Sequence, residues 1–340
     1  MTTVLVTGGE GYLGTVMIPM LLKRGYNVVS YDARIHPNHS PQRLTPGLRY
    51  VNQDMGNGPH LMAEVKDADA VIHLGGLVGD AACAVDERHS HGVNVTATKN
   101  ILGWMAGNRR RIVYASSCSV YGASDTELLT EDSPLNPVSA YAKQRIECEN
   151  MITATEGIEA VVVRFATLYG VSPRMRFDLA INIFARDAVI KCPSIVTIQG
   201  GSHYRPFCHV SDAALAVIRA LEQGTPGEAY NVGCDDENYQ MREVKGVVEK
   251  TLSGTEAYID DSTPDPRSYH VSFEKIRREL KFIPRRNIAY GLLEVAKFCR
   301  DIQHHVQLGL VPPLDSLHWC NYRPQRDITP SCMAHVTEAK

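Results

Sequence analysis

The sequence predicts an α/β fold: a doubly wound parallel sheet over residues 1 to about 170, with a smaller C-terminal lobe that includes most of 171–340. Three observations predict it. Short β-branched runs alternate with helical stretches through the first half, a glycine-rich turn joins the first run to the first helix, and the alternation loosens beyond Tyr169. Alternation of this kind needs βαβ crossovers, which bury a parallel sheet on both faces.

The elements follow in order. "TVLVT" reads as the first strand and "YLGTVMIPMLLKRG" as the first helix, where Pro19 is expected to kink the helix or mark its packing edge. "NVVSYD", "LRYVNQD" and "AVIHLGG" continue as strands, and "VNVTATKNILGWMAG" as a helix. "RIVYASS", a helix around Tyr141 and "IEAVVVRFA" complete the unit. Then "GVSPRMRFDLAINIFAR" starts as a basic loop and turns helical, and "SIVTIQGGSHYRPFCHV" reads as strand and loop. "SDAALAVIRALEQG" is a helix with a Ser/Asp start and a Gly stop, and "AYNVG" a further strand. Segments at about 205–235 are expected to return to the first lobe. The stretch from Asp301 onward, with "WCNYRPQ", carries no functional signal and is expected to pack or form a partly ordered tail.

Composition narrows the function. Hydrophobic residues make up 44% and charged residues 21% of the 340, as in a folded globular protein. A net charge of -3 leaves no concentrated basic surface for nucleic acid. Nine cysteines stand singly, with no C-x-x-C pair or zinc spacing, which favours reduced thiols and a cytoplasmic setting over a disulfide framework. No apolar run approaches a membrane span, and the N-terminus lacks the features of a signal peptide. His203, His209, His304 and His305 are not grouped as metal ligands, so no metal site is expected.

The chemistry begins at "VLVTGGEGYLG". Gly8 and Gly9 open the turn, and Gly9, Gly11 and Gly14 stand in G-x-G-x-x-G register around Tyr12 and Leu13. Glycines there permit a tight turn and let a pyrophosphate approach the backbone N–H groups of a helix N-terminus. Asp32 closes the next strand, 18 residues after Gly14. A carboxylate at that place accepts from the adenosine ribose hydroxyls and repels a 2′-phosphate, which points to NAD. Arg34, two residues on, is the side chain that could hold a 2′-phosphate instead.

With these motifs the chain resembles the extended short-chain dehydrogenase/reductases, the Rossmann-like branch of nucleotide-sugar epimerases, dehydratases and decarboxylases. The likeness covers roughly residues 3–295. It runs in order through the glycine turn, Asp54 and Met55, "HLGG" at 73–76, "ASSCSVYG", the Tyr141 helix, "RFATLYG", "RPFCHVSD" and "DPRSYHVSFEKI". The resemblance implies NAD on the first lobe and a nucleotide diphosphate sugar between the lobes. It also implies a homodimer joined through two helices per subunit.

Carried over, the resemblance makes Tyr141 the acid/base at a sugar hydroxyl and gives Ser117 a hydrogen bond to the same oxygen. Asp54 and Met55 would flank the adenine, and Leu74, Gly75 and Gly76 would line the cofactor. Arg205 and Arg267 match arginines that clamp the nucleotide diphosphate, with Arg174 and Arg176 adding to that clamp or gating it. Thr167 stands where many relatives have an asparagine. Cys118 and Ser119 occupy the substrate-side positions at which dehydratases carry an Asp-Glu pair, and decarboxylases a glutamate in place of Ser119. Neither carboxylate is present, which argues against elimination and weakens decarboxylation.

One letter departs from the family. Four residues after Tyr141, where a lysine is expected, the chain carries Arg145. Lys143 does not replace it, because two residues along a helix turn a side chain by about 200° whereas four bring it back to about 40°. Taking a phenol from about 10 to about 7 needs roughly 4 kcal/mol. One positive charge about 6 Å away at an effective dielectric near 20 supplies close to 3. Arg145 therefore meets most of the electrostatic requirement, while its flat fork alters the contact to the nicotinamide ribose. On sequence alone, Arg145→Lys is expected to retain or raise hydride chemistry. The expected activity is an NAD-dependent nucleotide-sugar epimerase acting at C4; a keto-sugar reductase and a catalytically silent dinucleotide sensor are the alternatives.

Overall fold

The computed structural model describes residues 1–39, 41–191, 194–262, 265–316 and 319–320, with the side chains of 125–127 left aside; the last twenty residues, including most of "WCNYRPQ", lie outside that description. The strands are β1 Thr3–Thr7, β2 Asn27–Asp32, β3 Leu48–Asn52, β4 Ala70–His73, β5 Arg111–Ser117, β6 Ala123–Leu129, β7 Glu159–Phe165, β8 Thr167–Tyr169, β9 Ile195–Gln199, β10 Tyr204–His209, β11 Ala229–Val232, β12 Asn238–Gln240, β13 Glu256–Asp260 and β14 Ser268–Val271. The helices are α1 Gly14–Lys23, α2 Gly58–Asp67, α3 Asp80–Val85, α4 Glu87–His91, α5 Ala97–Met105, α6 Ala140–Ala154, α7 Ala180–Ile190, α8 Val210–Gln223, α9 Met241–Thr251, α10 Glu274–Leu280 and α11 Ile288–Gln307.

Seven strands form one parallel sheet in the order β11-β7-β5-β4-β1-β2-β3. Successive residues of β1 serve opposite faces: Val4 and Val6 join an apolar cluster with Met17, Leu21 and Val217, while Leu5 joins one with Leu61, Ile101 and Ile152. Both faces of the sheet are thus covered, with α1 and α8 on one and α2, α5 and α6 on the other. β11, a late segment, adds to β7 with Ala229 opposite Val162. α1 runs through Pro19, which is exposed, so the ring faces water and the helix loses one internal hydrogen bond.

The remaining strands form small sheets, β12-β10-β8, β13-β9 and β14-β6, packed with α7, α9 and α11, while α10 lies against β11 and α8. What positions the site is the strand order of the large sheet. It reverses between β1 and β4, so the loops after their carboxyl ends diverge to opposite faces and leave a crevice there. No helix among the described residues is long and apolar enough to cross a membrane.

Candidate functional site

The crevice is built first by glycine. Gly8 has φ +67°, in the left-handed region, and a Cβ added to it would stand 2.8 Å from the Gly75 Cα. The turn after β1 therefore packs directly on the turn after β4, backbone to backbone. A Cβ on Gly14 would lie 2.5 Å from the Gly9 carbonyl oxygen, which keeps the first turn of α1 tight against the loop. Gly11, Tyr12, Leu13 and Gly14 line the cleft at the start of α1, where the helix dipole favours an anion. Gly9 instead turns toward Ser30, whose Oγ would be 2.4 Å from an added Cβ.

Asp32 reaches the same cleft from the end of β2. Its carboxylate accepts from the Glu10 and Arg34 backbone N–H groups at 3.1 and 2.8 Å, which fixes its direction. Asp54 and Met55 line the cleft beyond it, and Met55 Sδ occupies the place a Gly75 side chain would need. Leu74, Gly75 and Gly76 complete that wall. Behind it, His73 is braced by Thr7 Oγ1 on Nδ1 and Thr98 Oγ1 on Nε2, at 2.6 and 2.9 Å. Burial, and then the Arg145 charge, push its pKa down to about 3, so it is a neutral brace.

The third wall is α6. Ser139 caps it by accepting from the Ala142 N–H, and the helix then presents Tyr141 and Arg145 to the cleft while Lys143 is exposed. The guanidinium carbon of Arg145 lies 4.8 Å from the Tyr141 ring centroid. Further along, Glu149 pairs with Arg164 of β7 at 2.7 Å, and Ser116 of β5 donates to the same carboxylate. Arg164 also donates to Tyr121 Oη at 3.0 Å, and Tyr121 to Asn231 Oδ1 at 2.8 Å. This buried network sets the angle at which α6 meets the sheet.

The other expected residues are sorted differently. Arg174 and Arg176 line the cofactor-side cleft itself. Their loop is clasped to the one after β2 by Asn38 donating to the Met175 carbonyl at 2.6 Å. Arg176 is paired with Asp178, and its guanidinium carbon is 6.0 Å from the Tyr12 ring centroid. Beside them His36, which the sequence does not single out, lines the cleft with its pKa pushed down to about 3 by burial and the two arginine charges. Nothing in "ARIHPNH" announces that contact, because it depends on a loop some 140 residues away.

Arg205 and Arg267 stand outside the cleft, together. Asp265 pairs with both, Arg267 also pairs with Asp80, and Arg205 lies 4.8 Å from the Tyr269 ring centroid. Ser117, at the end of β5, accepts from the Ser119 N–H at 3.1 Å. Thr167 is half-buried on β8 opposite Phe207. Cys118 and Ser119 are both buried. Cys118 sits in the apolar core with its Sγ directed at the Arg164 carbonyl, and burial raises its pKa. The cause is the tight helical turn 118–121 that follows β5, which tucks these side chains inward.

The cleft suits a dinucleotide. A cradle that admits no Cβ, a helix start and a directed carboxylate at the far end meet a diphosphate and a ribose. Among the described residues no group of three His, Cys, Asp or Glu is placed to hold a metal ion, and seven described cysteines are free thiols.

Comparison with known proteins agrees with that geometry. Residues 4–233 match the NAD dependent epimerase/dehydratase family. A putative UDP-glucose 4-epimerase of Methanocaldococcus jannaschii is 25% identical over 305 residues, covering 88% of this chain and 98% of that protein. A UDP-N-acetyl-alpha-D-glucosaminuronate decarboxylase of Bacillus cytotoxicus is 24% identical over 321 residues, covering 88% and 98%. Among solved structures, MoeE5 in complex with UDP-glucuronic acid and NAD superposes with a TM-score of 0.76 at 27% identity, covering 88% of this chain and 99% of that one.

Proposed function

Because the chain belongs to the NAD-dependent epimerase/dehydratase family, an enzyme family whose cofactor is NAD, we propose that it is a nucleotide-sugar epimerase acting at C4. The observation that carries this reading is the shared cleft: Tyr141 and Arg145 line it together with the glycine turn and Asp32. NAD bound there supplies a reversible acceptor for a hydride. Asp32 takes the ribose hydroxyls of the adenosine, the start of α1 faces the diphosphate, and Asp54 and Met55 flank the adenine. Leu74, Gly75 and Gly76 line the rest of the cofactor's path.

Tyr141 withdraws the proton from the C4 hydroxyl as that carbon gives up its hydride, and Ser117 hydrogen-bonds the same oxygen. The Arg145 charge favours the phenolate that accepts the proton. The resulting 4-keto sugar turns over, hydride returns to its opposite face, and Tyr141 hands the proton back. No net oxidation follows. Arg205 and Arg267 hold the diphosphate of the sugar nucleotide, exchanging their carboxylate partners for phosphate oxygens.

Epimerisation is favoured over elimination and decarboxylation by the lining. Among the described residues that line the cleft the carboxylates are Asp32 and Asp54, and the positions of the dehydratase acid pair are Cys118 and Ser119, both buried. No spare acid and base face the sugar in this reading. In keeping with the family resemblance, the working unit is a cytoplasmic homodimer, checked by light scattering.

The test is an NMR time course of the protein with NAD and a panel of UDP, dTDP, GDP, CDP and ADP sugars, followed at the anomeric protons. Interconversion of two sugar signals without net NADH is the expected result. Net consumption of NADH with a keto sugar would replace the reading with a reductase. NAD binding with no turnover of any sugar would make the chain a dinucleotide sensor.

A further inference from the structure

The residue that makes Arg145 workable is on another element. Tyr114, in the middle of β5, has no solvent exposure, and its hydroxyl accepts from Arg145 Nη1 at 2.8 Å. The same Nη1 donates to the Ala115 carbonyl at 3.2 Å. The guanidinium carbon lies 5.7 Å from the Tyr114 ring centroid and 4.8 Å from that of Tyr141, so the cation sits between the two rings. On the cleft side, a Cβ added to Gly76 would stand 3.2 Å from Nη2, and Nε is buried without a partner among the described residues.

The fork is therefore divided. Nη1 is spent on β5, and Nη2, beside Gly76, is left for the cleft. Arginine has five N–H donors in a rigid plane, so anchoring one arm fixes the direction of the other. A lysine carries its donors on one nitrogen, at the end of a flexible stem, and cannot serve a phenol on β5 and a ligand in the cleft with the same rigidity.

We propose that Tyr114 is a positioning residue: its hydroxyl holds one arm of the Arg145 guanidinium so that the other arm is presented to the ribose of the bound dinucleotide, and the two side chains work as a unit. This rests on the reading that Arg145 faces the cofactor. It does not depend on which sugar is turned over.

The test is a four-protein cycle in the full chain: wild type, Tyr114→Phe, Arg145→Lys and the double variant. NAD affinity is measured by titration in the absence of any sugar. Tyr114→Phe keeps the ring and removes the anchor, so the guanidinium loses its fixed direction and NAD binds about tenfold more weakly. Arg145→Lys leaves the Tyr114 hydroxyl competing for the ammonium and costs about as much. In the double variant that competitor is gone, the lysine turns to the cleft, and affinity returns to within about threefold of wild type. Recovery itself shows that Tyr114→Phe folds, and circular dichroism of each variant checks it. Where a sugar substrate is found, the pH profile of turnover should move in the single variants and return in the double.

A double variant carrying both losses, about a hundredfold together, would reduce Tyr114 to a packed phenol and overturn the proposal, as would wild-type affinity in Tyr114→Phe. Recovery of NAD affinity in a protein that turns over no sugar would leave this proposal standing and remove the epimerase.

Discussion

Tyr141 and Arg145 show what a single helix period can and cannot tell. Their separation of four residues puts both side chains on one side of α6, and both line the cleft while Lys143 is exposed. Tyr141→Phe keeps the ring over which Arg145 lies and removes only the proton carrier. Turnover is expected to fall by about 10²–10⁴-fold with NAD affinity held within about threefold, measured by initial rates and by titration. That much was legible in the sequence, because helical direction is a local property. The partner of Arg145 was not: Tyr114 lies 31 residues earlier on a strand. On the proposal that Tyr114 anchors Arg145, Arg145→Lys is expected to weaken NAD binding, since a lysine would meet a phenol that competes for it.

At the scale of the element, α6 is held by polar contacts where a surface helix would use an apolar stripe. Gln144, Arg145 and Glu149 are buried on it beside Tyr141, Cys148 and Ile152, and the Glu149–Arg164 pair ties it to β7. A lone Glu149 with no Arg164 would be costly to bury, so the two act together in orienting α6. A second buried carboxylate governs another junction. Glu237 accepts from the Ile288 N–H at the start of α11 at 2.7 Å and from Tyr239 Oη at 3.1 Å. Burial raises its pKa from the ordinary 4.5 to about 7, with Asp236 adding to the rise. The folded chain then binds this proton more tightly than the unfolded chain. The stability it contributes is present in full below about pH 4.5 and is lost as pH rises toward about 7. At about 1.4 kcal/mol per pH unit the swing is up to about 3 kcal/mol. Glu237→Gln keeps the acceptor and removes the titration. Urea unfolding at about pH 5 and pH 8 should therefore show a smaller loss of stability in the variant than in wild type.

Across the whole molecule, charge ties together segments far apart in the chain. Asp80, at the start of α3, accepts from Ser139, the cap of α6, and pairs with Arg267, which precedes β14. Asp265 pairs with Arg267 and Arg205. Burial works against its charge, but the Arg267 hydrogen bonds and the two arginine charges prevail and hold it well below the usual carboxylate range. The arginines read as diphosphate ligands are thus linked to α6 before any sugar arrives. Arg267→Ala is expected to raise the KM for the sugar nucleotide about 10–100-fold while NAD affinity stays within about threefold. Initial rates against both ligands check it. Equal losses in both would mean that Arg267 acts through its ties to Asp80 and Asp265 and not by holding phosphate.

The sequence by itself determined the parallel sheet, the glycine turn, the carboxylate at the end of β2 and the two residues α6 turns to the cleft. Each of these is written in local spacing: a β-branched run, a glycine where no Cβ fits, a helical period. Tertiary structure decided which of the remaining polar residues meet. It brought Arg174, Arg176 and His36 to the cofactor side, kept Arg205 and Arg267 outside the cleft with Asp265, folded Cys118 and Ser119 into the interior and set Arg145 on Tyr114. Those pairings join loops and strands far apart in the chain, and burial in a common low-dielectric interior, which no spacing rule encodes, is what obliges such groups to find one another.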